Sequence, residues 1–125
     1  MLENISLIEE ANFFVSKTQA EQNAYQYLKE LNLGHIENLR TFQCLPREIF
    51  YTQLIRALLT KKNHIMIALA FQMINEQKHL ENLFRNLIHL GNYHCQKADS
   101  SLLITLIDTK MNEHLYQNCP CHTIK

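Results

Sequence analysis

The chain has 125 residues, 46% of them hydrophobic, and balances 12 basic against 12 acidic side chains. That length fits one domain able to bury a core without disulfide or metal staples. A formal charge of zero argues against a protein built to track nucleic-acid phosphates, which needs a basic face, and it removes the self-repulsion that keeps copies apart.

Only two glycines and two prolines occur, too few for the tight turns of a sheet protein of this size. The expected class is therefore all-α: a compact, single-domain bundle of six or seven helices over residues 1–118, followed by a C-terminal tail at 119–125. Ser6 and Glu9 have the spacing of a capping box and open a first helix with Leu7, Ile8, Ala11, Phe14 and Val15 on one face. Thr18 and Glu21 repeat that spacing, and Ala20, Ala24, Tyr27, Leu28 and Leu31 make the stripe of a second helix. Gly34 lies where a left-handed cap is expected. A shorter helical piece follows at 35–44. Pro46 suits the first turn of the next helix, which runs to about Thr60 on Ile49, Phe50, Leu54, Ile55, Leu58 and Leu59.

The most apolar stretch of the chain, IMIALAFQMI at 65–74, is interrupted only by Gln72. It reads as the buried centre of the bundle. Met66, Leu69, Met73, Leu80, Leu83, Leu87 and Leu90 continue a heptad alternation broken by Glu76, so 64–90 forms either one long helix or two. A loop is expected at 91–98. Asp99 or Ser100 then caps a last helix carrying Leu103, Ile104, Leu106, Ile107, Met111 and Leu115. The run at 65–74 is too short to span a bilayer, which takes about 18 residues or more. The N-terminal segment is acidic where a secretory leader is basic. Four cysteines without the regular spacing of a disulfide framework read as reduced thiols in a cytoplasmic setting.

Three sets of residues carry candidate chemistry. His114, Cys119, Cys121 and His122 offer two imidazoles and two thiolates, a zinc-like set, but they crowd into nine residues with a single Pro120 between the cysteines. Arg40, Arg47, Arg56, Lys61 and Lys62 could line a basic face, although the helix that holds Arg47 and Arg56 is largely apolar. His94 and Cys95 are a conceivable nucleophile pair without an orienting partner. No phosphate-binding glycine loop, nucleophile elbow or HExxH motif occurs. Catalysis is accordingly not expected, nor is a cofactor.

In composition the whole chain resembles, diffusely, the small helical effectors that intracellular bacteria deliver by type IV secretion. Some of these act by binding and regulating a partner, including another effector enzyme. The function expected is a non-catalytic protein–protein interaction module that regulates or inhibits a partner protein and forms a homodimer, without nucleic acid or membrane. Its setting would be the cytoplasm, or a host cell if the chain is an effector. Tyr25, Tyr51 and Arg56 are the expected partner anchors, because aromatic residues and arginine dominate interface energies. The alternatives are a metal-binding protein using the Cys/His tail and a nucleic-acid-binding helical regulator.

Overall fold

A computed structural model describes residues 1–74 and 77–117, the side chains of 77–81 excepted. The chain is mostly helical, with one small parallel sheet. Helices α1 (Leu2–Phe13) and α2 (Lys17–Glu30) pack on each other and on α3 (Pro46–Leu59). Strand β1 (His64–Ala68), the short α4 (Ala70–Met73), the long α5 (Gln77–Ala98) and β2 (Leu103–Ile107) follow. A 3-10 segment, Lys110–Tyr116, comes last among the described residues.

The first half keeps much of the expected pattern. On α2 the stripe Ala20, Ala24, Tyr27 and Leu28 is buried. Ser16 caps this helix, its hydroxyl accepting from the Gln19 N–H at 3.3 Å. The left-handed residue at its other end is Asn32 rather than Gly34. The Asn32 N–H donates to the Lys29 carbonyl and the Leu33 N–H to the Leu28 carbonyl, a Schellman closure with Leu33 buried behind it. Asparagine tolerates the left-handed conformation, so glycine was not required there. On α3, Pro46 occupies the first turn and the Glu48 carboxylate accepts the Leu45 N–H at 2.8 Å.

Helix α1 departs from expectation. It starts at Leu2, placing Ser6 inside the helix, and its buried residues are Ile5, Ser6 and Glu9. Leu7, Ala11 and Phe14 are exposed. Phe14 closes α1 at φ 54° while 94% exposed, so an L side chain takes a conformation that costs about 1–2 kcal/mol and packs almost nothing in return. Phe14→Gly is expected to raise stability by about 0.5–1 kcal/mol, the relieved strain less the added freedom of the unfolded chain. A chemical denaturation midpoint that stays put or falls contradicts this.

Parts of two expected helices are strands, so the chain is mostly helical with a small parallel sheet and not strictly all-α. The front of the 65–74 run is β1 and the front of the last expected helix is β2, paired in parallel from His64↔Leu103 to Ala68↔Ile107. Ile65, Ile67 and Leu106 pack on the core, Ile104 is half-buried beside Gly91 of α5, and this intervening 22-residue helix makes the crossover that parallel pairing requires. A continuous apolar run is the mark of a strand in a covered parallel sheet as much as of a central helix. The open question at 64–90 resolves into strand, short helix and long helix. Leu69 sits at φ 54° between the first two and donates its N–H to the Ile107 carbonyl.

Residues 91–98 are helical, not a loop, because α5 continues through Gly91. Gly91 does not take the left-handed conformation of a helix-closing glycine, so it does not stop the helix. Its buried stripe is Leu83, Leu87, Leu90 and His94. The expected 35–44 helix is two 3-10 turns, Gly34–Ile36 and Thr41–Gln43. The tail expected at 119–125 lies outside the described residues.

Candidate functional site

Helices α1, α2 and α5 and the turn after α3 converge on a cavity of about 210 Å³. Leu59, Ala98 and the Tyr27 ring form its apolar wall, and Glu9, Asn23, Lys61, His94 and Lys97 supply polar groups. Two of these are buried in full view of the core: Glu9 and His94 are each only 4% exposed. A buried carboxylate and a buried imidazole are costly unless paired, and both are paired. The Asn23 amide donates to Glu9 Oε2 at 2.8 Å, and Lys61 Nζ stands 3.8 Å from Glu9 Oε1. The Tyr27 hydroxyl and His94 Nδ1 share a 2.7 Å hydrogen bond.

The turn after α3 aims Lys61 inward. Lys61 is left-handed at φ 58°, and its ammonium lies 4.1 Å from the Phe13 ring centroid. Lys97 Nζ lies 5.1 Å from the Tyr27 centroid and 5.8 Å from that of Tyr93. It also donates weakly to Asn23 Oδ1 at 3.5 Å. Burial pulls the Lys97 pKa down, Glu9 pulls it back up, and the nearby Lys61 ammonium lowers it again. Burial, then Lys97, then Lys61 lower the pKa of His94, which favours the neutral ring. Burial raises the Tyr27 pKa, so its hydroxyl keeps its proton.

A second surface stands apart from this cavity. The residues of β1 and β2 that point away from the core are His64, Met66 and Ala68 opposite Leu103, Thr105 and Ile107. Met66 is 62% exposed, Leu103 60% and Ile107 44%. Among the described residues no third strand continues the sheet on either side. Neither strand carries the lysine, proline or acidic residue that commonly guards an edge.

The three expected anchors fall in unlike settings. Tyr25 is half-buried on α2, its hydroxyl the nearest atom to a Cβ built on Gly34, with Lys29 Nζ 5.8 Å from its ring centroid. Tyr51 is buried on α3, against Phe50, and its hydroxyl accepts from the Asn86 amide at 2.9 Å. Arg56 is half-buried on the same helix, with an Nε that is buried and lacks a hydrogen-bond partner among the described residues. Tyr51 and Arg56 are five positions apart, about 140° around the helix, so they do not share a face.

Of the zinc-like set, Cys119, Cys121 and His122 lie outside the described residues. His114 is exposed and donates from Nδ1 to the Met111 carbonyl at 3.0 Å. Among the described residues, no group of three or more His, Cys, Asp or Glu is placed to hold a metal ion, and no helix is long and apolar enough to cross a membrane.

Sequence reasoning placed Lys61 in a basic face and His94 in a loop, and it missed the cavity. The available signals were two polar interruptions of buried stripes. Glu9 stands four residues after Ile5, and His94 four after Leu90. Compared with models of protein families, with curated proteins and with solved structures, the chain matches none.

Proposed function

We propose that the chain is a non-catalytic interaction module that forms a homodimer through its small sheet and, as a dimer, regulates a partner protein. The observation that carries this reading is the uncovered outer face of the sheet, where Met66, Leu103 and Ile107 stand exposed in adjacent strands. An unguarded strand edge beside such a face is a template for another strand. Neither strand carries Lys, Arg, Asp or Glu, so nothing in the face selects an oppositely charged foreign surface. Zero net charge for the whole chain favours a second copy. A two-fold axis would join the sheets edge to edge, each protomer offering the same patch. The proposal places the protein in the cytoplasm, its own cell's or a host's.

Sedimentation velocity tests this reading. The wild type is expected to sediment as a dimer, and Leu103→Lys or Met66→Lys as a monomer of unchanged helical content. Both side chains are largely exposed, so neither substitution empties the core. A wild type that stays monomeric over a wide concentration range rules out the dimer. A regulated partner should then be retained by the wild type and lost by Leu103→Lys. Equal retention by both would place partner docking elsewhere on the molecule.

A further inference from the structure

The cavity between α1, α2 and the C-terminal end of α5 is independent of the sheet face. We infer that it is a binding site for a small aliphatic carboxylate. Its volume of about 210 Å³ equals that of about seven liquid waters, below the range of drug-sized pockets and suited to a short-chain acid. Its charged side chains are two ammoniums, Lys61 and Lys97, against one carboxylate, Glu9. That leaves one positive charge for a ligand to neutralise. Glu9 is already engaged by Asn23 at 2.8 Å and approached by Lys61 at 3.8 Å, whereas the contact of Lys97 with Asn23 is a long 3.5 Å. Lys97 therefore has donor capacity to offer a carboxylate.

The apolar wall argues for a hydrocarbon stem over a bare inorganic anion. Leu59, Ala98 and the Tyr27 ring would cover the stem while the ligand's carboxylate lies between the two lysines. Both ammoniums are reached by solvent: Lys61 is half-exposed and Lys97 exposed. The Tyr27–His94 pair and Glu9, by contrast, are buried and already hydrogen-bonded. That arrangement, a mostly apolar hollow with a few fixed polar groups, is the usual build of a small-molecule site.

The test is an NMR titration of the full chain with sodium butyrate at pH 7, run beside sodium chloride and sodium phosphate at matched ionic strength. Butyrate is expected to produce saturable shifts at the Lys61 and Lys97 side-chain methylenes and the Tyr27 ring. Lys97→Met and Lys61→Met, both at solvent-reachable positions, should each weaken butyrate binding by about tenfold or more, while Lys62→Met leaves it unchanged. If the lysines serve only to offset helix carboxyl ends, both variants bind as the wild type does and the inference fails. It fails equally if the shifts are linear and reproduced by chloride, or if phosphate binds in preference to butyrate.

Discussion

Leu28→Ala is expected to lower the free energy of unfolding by about 2–5 kcal/mol. Leu28 is fully buried on α2, the helix that meets α1, α3 and α5. Helices close around it from several directions, so the vacated space cannot collapse easily. Alanine is at least as good a helix former as leucine, so backbone preference does not contribute to the loss. The residue also sits at the closure of α2, where its carbonyl accepts the Leu33 N–H at 2.8 Å. That bond survives the substitution, which confines the effect to side-chain packing. A urea titration with an unchanged slope measures it. Leu7→Ala on the exposed side of α1 is the control and should stay within about 0.5 kcal/mol. A loss at Leu28 no larger than that control would mean the core does not centre on α2.

Tyr27→Phe is expected to cost about 1–3 kcal/mol, the penalty for leaving a buried polar atom unsatisfied. Phenylalanine keeps the ring, its edge contact with Tyr93 and its place beneath the Lys97 ammonium. Only the hydroxyl is removed, and with it the 2.7 Å bond to His94 Nδ1. Whichever tautomer His94 adopts, that nitrogen loses its partner in a ring only 4% exposed. A double-mutant cycle with His94→Leu isolates the pair: once the imidazole is gone, removing the hydroxyl should cost less. Equal costs in both backgrounds would show that the hydroxyl contributes independently of His94.

The helical half was legible because its signals are local. The Tyr27–Leu28 stripe, the Pro46 start of α3 and the closing of α2 near residues 31–34 depend on nearest neighbours and on which backbone angles each residue tolerates. Exposure of Leu7 and Phe14 was not legible, since α1 starts four residues before its apparent cap and the burial of Ile5 and Glu9 rotates its inner face. The strands were misread for a different reason. IMIA and LITLI are apolar enough to be central in either structure, and their pairing spans about forty residues. The β-branched residues at 65, 67, 104, 105 and 107 pointed to strands, and the amphipathic helix between them pointed to a crossover unit.

The candidate sites divide along the same line. Apolar faces in excess of what one bundle needs are a property of composition, and with zero net charge they suggest self-association before any fold is known. Which apolar residues remain uncovered is a tertiary result: the strand register turns Met66, Leu103 and Ile107 outward and Ile65, Ile67, Ile104 and Leu106 inward. The cavity is more fully tertiary still. Glu9, Tyr27, Lys61 and His94 are scattered over 86 positions of chain, and no spacing rule relates them. By itself the sequence determined that the chain is mostly helical, where α2 and α3 run and that a sizeable core exists, because periodicity and capping act within a few residues. The tertiary structure alone decided that a parallel sheet forms and that two lysines, a carboxylate and an imidazole line one cavity, because only packing brings α1, α5 and the turn after α3 together.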